Sequence, residues 1–415
     1  MADRFAVPFQ VFITDGAVIT CAEAGRIATA GATTLNLSTT GGAGTFTIIV
    51  ASGCTGTVTS GTAAITGSVV TLAEGANVLT SDGAGTCTLN LTLGTAANTN
   101  SVNSWSATSG GVSGASVPTS ADNFKADANS FTAGSQVLTV NVLNAYCLDI
   151  DWAGATDNPT LVITGGNYLK IYGNINFIAA MTLTGGYLQP EGANAQTLTT
   201  NGLLMGSQLY LFKNSGASIT LQDSYTSSTI IYLDQGILDT NGYAITYAGV
   251  YRNYNRTCVV SLGNSVVNTG YWNLLNVTGF TVTANTATIN ISGTGVLTAG
   301  AVDYNGATFN LNGTAHTITG TPTIKELGLK PAGIQTITAT GATVSLTTMI
   351  RTGLGVITII NGTFTKVLSR VTLRNMSISG STANGGASFY AGSNSTDGGT
   401  NSGWMFREPI GAAWK

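Results

Sequence analysis

Apolar residues along this chain come in short runs that alternate with polar ones. Thr308-Phe309-Asn310-Leu311-Asn312 shows the pattern: Phe309 and Leu311 share one face and the polar residues share the other, as a pleated strand requires. Similar runs occur at Thr45–Ala51, Ser68–Leu72, Thr86–Leu93, Thr288–Ser292, Thr317–Gly320 and Thr336–Thr340. Most end at Gly or Asn, residues that accept the backbone conformations of tight turns. Thr, Val and Ile dominate the runs, and their stiff β-branched side chains suit a pleated surface. Long Ala/Leu/Glu/Lys stretches with a 3.6-residue apolar period are missing. The pattern predicts an all-β chain.

From about residue 140 the runs repeat, with a drifting period of about 20 residues. Leu161-Val-Ile-Thr-Gly-Gly-Asn-Tyr-Leu is echoed by Met181-Thr-Leu-Thr-Gly-Gly-Tyr-Leu, and Thr200-Asn-Gly by Thr240-Asn-Gly. Units of that length cannot bury an apolar face alone and stack on their neighbours to do so. The reading is a small N-terminal β-domain followed by a parallel β-solenoid. The expected divisions are an arm over 1–26, a small charge-poor β-domain over 27–100, a lead-in and cap segment over 101–139, the solenoid over 140–390, and a C-terminal cap or tail over 391–415.

Composition narrows the function classes. Only 8% of the 415 residues are charged, while 43% are hydrophobic. That is enough apolar surface for a packed core, which argues against disorder. Fifteen basic against eighteen acidic residues give a net charge of −3. With no basic stripe to neutralise phosphates, no nucleic-acid partner is expected. No apolar run has the length of a membrane helix, so no membrane partner is expected either. The start, Met1-Ala-Asp-Arg-Phe-Ala-Val-Pro-Phe-Gln10, lacks the apolar core of a secretory leader. Cys21, Cys54, Cys87, Cys147 and Cys258 are odd in number and form no Cys-x-x-Cys pair, so reduced thiols packed as small apolar groups are expected. Residues 27–121 carry two charges, Glu74 and Asp82. A domain so poor in solubilising charge is expected to be covered by another subunit.

Several segments are similar to a known family. Trp105-Ser-Ala-Thr-Ser-Gly-Gly-Val-Ser-Gly-Ala-Ser-Val-Pro-Thr-Ser-Ala-Asp-Asn123 resembles the leading segment of β-helical structural proteins in tailed-phage genomes. So do Asp127-Ala-Asn-Ser-Phe-Thr132, Leu148-Asp-Ile-Asp-Trp-Ala-Gly-Ala155, the start Met1-Ala-Asp-Arg4, and the tail from Gly385 to Phe406. The family's start usually runs quickly into the Trp segment, whereas here about 95 residues intervene, the charge-poor β-domain. The resemblance implies a virion structural protein, a tail fibre or spike subunit acting in assembly and host attachment. Its alternatives are a capsid decoration or head-fibre protein, or a tailspike polysaccharide depolymerase. It also implies a homotrimer, other virion proteins as partners, a host surface glycan as receptor, and location in the virion.

Candidate chemistry is sparse. The tract from Tyr225 to Arg256 is rich in tyrosine, with Tyr232, Asp234, Asp239, Tyr243, Tyr247, Tyr251 and Arg252 as the candidate recognition patch and Tyr225, Tyr254 and Arg256 beside them. Aromatic faces with adjacent polar groups hold sugars and other surface ligands; the plainer reading is that Tyr is an ordinary strand residue. Asp149 and Asp151 share a strand face, as a carboxylate pair for glycoside hydrolysis would, or as a solvated face that discourages edge pairing. His316, the single histidine, shares parity with Ile318 and is expected to be a satisfied, half-buried side chain. It cannot build a two-histidine metal site. No nucleotide or nucleophile-elbow motif stands in a strand–helix context, so no catalytic residue, metal or cofactor is expected.

Overall fold

The computed structural model describes the backbone of nine short strands between residues 2 and 98. It then describes 105–111, 115–131, 136–293, 296–329, 335–339, 341–351, 357–361, 363–366, 371–372, 376–384, 389–390 and 395–406. Every regular element among these residues is a β-strand. The chain divides into two compact units, Met1–Leu188 and Gln189–Lys415.

In the first unit the early strands pair antiparallel. Phe12–Gly16, Gly44–Val50 and Gly75–Ser81 form one sheet. Gly31–Thr39, Gly85–Leu93, Gly56–Ser60 and Val69–Leu72 form a second. Their side chains lie outside the described residues, as do Cys21, Cys54, Cys87, Trp414 and the expected subunit contact of this domain. The pairing then turns parallel. Asp122–Lys125 lies beside Ile150–Asp151, and that strand beside Ile175–Asn176. Val137–Val140 lies beside Thr160–Ile163, and Asn144–Cys147 beside Tyr168–Ile171. Three strands therefore make one coil, and each stacks on its counterpart in the next: a parallel β-solenoid. Two earlier strands join this stack as well: Ala2–Ala6 pairs parallel with Asp122–Lys125, and Ala97–Asn98 with Val137–Val140, so parallel pairing already involves the segment 101–139. Trp105, Phe124, Trp152 and Phe131 close the core there, with ring centroids 5.4, 5.1 and 5.5 Å apart in that order.

The second unit is built from coils of the same kind. Val266–Thr269 pairs with Thr288–Ile291, which pairs with the second half of Asp303–Leu311. Coils differ in length because the loops differ, while the inward set is kept. Val267, Ile289, Ile291, Phe309 and Leu311 are all fully buried, each worth about 1.5–3 kcal/mol relative to exposure. The alternation read in 308–312 holds for Phe309 and Leu311. Asn310 points outward yet is buried, because its Nδ2 donates to Asn290 Oδ1 at 2.8 Å and Asn290 Nδ2 donates to Asn268 Oδ1 at 2.9 Å. Identical amides in successive coils thus form a ladder. Corners between strands use left-handed backbone. Thr200-Asn-Gly and Thr240-Asn-Gly are two such corners, with φ of 50° and 84° at Asn201 and Gly202, and 52° and 80° at Asn241 and Gly242.

Near the C-terminal end Trp404 is buried. Its ring meets Phe364 edge-on at 6.3 Å and its Nε1 donates to Ser381 Oγ at 3.2 Å. The strand Trp404–Met405 pairs parallel with Phe389–Tyr390.

Candidate functional site

In the second unit three tyrosines stand in register on the outer face of successive coils. Tyr210 pairs with Tyr232 and Tyr232 with Tyr251. Their ring centroids are 5.6 Å apart at both steps, slightly more than the strand spacing, because side chains at equivalent positions inherit the coil repeat. Phe212 and Tyr254 flank Tyr210 at 6.3 and 6.2 Å. All five rings are half-buried, so each keeps part of its edge or face open.

A bulge sets the polar groups beside them. In Ile230–Asp239 the register with the preceding coil shifts: Leu211 faces Leu233, and Phe212 faces Gln235. Asp234 is the extra residue. Before it the buried positions are Ile231 and Leu233; after it comes Leu238. The inserted residue thus reverses which parity faces inward. Asp234 is only 1% exposed. Its Oδ2 accepts from Tyr210 Oη at 3.0 Å and from Arg256 Nη1 at 2.8 Å, while Oδ1 has no partner. Desolvation raises its pKa, against the pull of the Tyr210 hydrogen bond and the two arginines. Burial likewise pushes the Tyr210 hydroxyl up.

Arg252 supports this arrangement from below. It is fully buried. Nη1 donates to the carbonyls of Leu233 and Asp234 at 2.9 and 2.7 Å, and Nη2 to those of Arg256 and Thr278 at 2.5 and 3.0 Å. A bulge removes carbonyls from the strand ladder, and here one guanidinium satisfies two of them. Its plane lies over Phe280 at 5.1 Å. Arg256, by contrast, is 48% exposed in its side chain and lies over Phe212 at 4.9 Å. The exposed cation is therefore held in place on one side by a buried carboxylate and on the other by an aromatic ring.

The structure brings together Tyr232, Asp234, Tyr251 and Arg252 of the candidate patch, with Tyr254 and Arg256. It does not bring in the others. Asp239 Oδ1 accepts from Asn241 N at 2.9 Å and holds a corner. Tyr247 is a core residue whose hydroxyl is pushed up by burial, and Tyr225 is buried likewise. Tyr243 is exposed on the turn after Thr240. Tyr210 and Phe212 belong to the site and precede the tract. The signal that finds Tyr210 is spacing, one coil before Tyr232, rather than local tyrosine density.

The other candidates hold turns. Asp149 Oδ1 accepts from Asn174 N at 2.6 Å, and Asp151 Oδ1 from Ala153 N and Asn176 Nδ2, both at 3.0 Å. Each carboxylate ties its coil to the next. His316 is buried, deeper than half-burial, and its Nε2 accepts from Gly313 N at 3.0 Å. Cys147 and Cys258 are buried free thiols; burial pushes Cys258 up to about 12 and Cys147 higher. Among the described residues no group of three or more His, Cys, Asp or Glu side chains could hold a metal ion. Among them, too, no helix is long and apolar enough to cross a membrane. Comparison with protein-family models, curated proteins and solved structures finds no match.

Proposed function

We propose that this chain is a non-enzymatic subunit of a virion surface appendage of the fibre or spike kind, and that its solenoid presents a recognition patch to the host surface. One observation carries the reading: half-open aromatic rings recur in register on the outer face of stacked coils, beside a guanidinium fixed by a buried carboxylate. Stacked parallel strands make a stiff support, and aromatic edges with an adjacent donor suit a hydroxyl-rich surface such as a host glycan. The similarity of the Trp105–Asn123 and 385–406 segments to β-helical phage structural proteins points the same way and supplies the virion. Within this reading the chain joins other virion proteins and associates with copies of itself, as a trimer.

Mass spectrometry and immunogold labelling of purified particles test it. Expected are stoichiometric recovery with the particle and label on the tail. Label on the head would favour a decoration or head-fibre role, and absence from particles would overturn the reading. Particles carrying Tyr232→Ala or Tyr251→Ala should assemble normally and adsorb to host cells more slowly. Unchanged adsorption would remove the patch from the proposal.

A further inference from the structure

At the corner where the strand Leu204–Phe212 ends, four polar side chains lie in the interior of the second unit: Gln189, Glu191, Gln196 and Lys213. Lys213 is 2% exposed. Its Nζ donates to the main-chain oxygen of Glu191 at 3.1 Å, and the Gln196 Nε2 donates to the same oxygen at 3.1 Å. Amine and carboxamide thus converge on one acceptor atom. Gln189 Nε2 donates to Glu191 Oε1 at 2.6 Å and keeps that carboxyl group in the cluster.

The lysine is poorly served as an ammonium. One of its three donors is used, and no carboxylate of the described residues lies within ion-pairing distance. A buried charge without a counter-charge is costly. Burial pushes Lys213 down to about 8, so a useful fraction is the neutral, nucleophilic amine at neutral pH.

We propose that Lys213 and Gln196 join in an intramolecular isopeptide bond. Lys213 Nζ attacks Cδ of Gln196. The Nζ–Cδ bond forms and the Cδ–Nε2 bond breaks. A proton passes from Nζ to the leaving nitrogen, which departs as ammonia. Amine and primary amide become secondary amide and ammonia, so atoms and charge balance and no oxidant or co-reactant is needed. Holding both groups against one carbonyl makes the reaction effectively unimolecular. The product also replaces an uncompensated buried charge with a neutral amide whose N–H can keep the Glu191 carbonyl as acceptor. The bond closes the loop from 196 to 213 and staples one coil covalently.

Peptide mapping of the purified full-length chain tests this. The expected result is a branched peptide joining the Lys213 and Gln196 fragments, lighter by one ammonia than their sum. Mapping is needed beside intact mass because Asn-Gly succinimides, for which Asn201-Gly202 and Asn241-Gly242 are candidates, lose the same mass. Lys213→Met should remove the branched peptide. Recovery of the two fragments as separate, unmodified peptides from the wild-type chain would overturn the proposal, whatever the variants do.

Discussion

Replacing Arg252 with Met tests how the patch is supported. Met keeps the length and apolar bulk of the side chain and removes the guanidinium. Four carbonyls, those of Leu233, Asp234, Arg256 and Thr278, lose a charged donor at once. Hydrogen bonds to charged groups contribute about 1.5–3 kcal/mol each. The sum overstates the effect, because burying the guanidinium cost several kcal/mol of hydration in the first place. Removing one partner of a buried charged network typically costs about 3–5 kcal/mol, and that is the expected loss. It falls locally, on the bulge and on residues 253–257, the loop that carries Tyr254 and Arg256. Trypsin provides the assay, since Arg256 is exposed while its carbonyl is held by Arg252. If cleavage follows local opening, its rate at Arg256 should rise by about two to three and a half orders of magnitude. Arg256→Met, which removes the cleavage site, is the control for the urea midpoint alone: its side chain is half exposed, and its loss should cost less than that of the fully buried Arg252. The reasoning fails if Arg252→Met leaves cleavage at Arg256 at the wild-type rate and the urea midpoint within the range of the Arg256 variant.

Three further outcomes are expected. The raised pKa of Asp234 means that the native state holds its proton more tightly than the unfolded one. Its contribution is therefore greatest at acid pH and declines as pH rises from the ordinary carboxyl value through the native one. The melting temperature of Asp234→Asn relative to wild type should accordingly improve on going from about pH 4 to about pH 7; an unchanged or declining difference contradicts the assignment. Phe309→Ala removes a fully buried ring that meets Tyr304 at 5.1 Å and Trp272 at 6.4 Å, and should cost about 3–5 kcal/mol in denaturant unfolding. Deleting residues 400–415 takes away Trp404 and uncovers Phe364, and should yield aggregated chain; a soluble, folded truncation that only fails to join particles would show docking rather than capping.

The solenoid was legible because its signal is repetition, which survives without tertiary knowledge. The register was less so. Thr164-Gly-Gly and Thr184-Gly-Gly look like equivalent positions, yet Val162 is the residue that pairs with Thr184. The echo gave the period and misplaced the phase by two residues, since loop lengths absorb the difference between coils. The tyrosine tract was visible as a tract, but adjacency in sequence mixes inward and outward positions. Tyr247 has the opposite orientation to Tyr251 because the strand breaks at Ala248 between Ile245–Tyr247 and Gly249–Arg252. Asp234 beside Tyr210 depends on a bulge that no local residue pattern announces. Arg252 carried no sign that it is buried, because an arginine in a polar tract is expected in solvent. The Lys213 cluster was missed for the same reason: Gln, Glu and Lys read as surface residues until a coil closes over them.

The bulge at Asp234 also constrains how this chain can change. Along a strand the inward and outward code is read two residues at a time, and one inserted residue acts as a frameshift within it. The apolar letters before Asp234 are written in one frame and those after it in the other. Removing the insertion while keeping the rest would turn Leu238 outward and Asp239 inward, so the insertion and the downstream sequence can only be exchanged together. Coils of this kind are often shuffled or duplicated as modules. Here a cut within Ile230–Asp239 would join incompatible frames, whereas a cut at the Asn-Gly corners would preserve them. The left-handed corners at Asn201 and Asn241 are therefore the natural joints for grafting coils into or out of this chain.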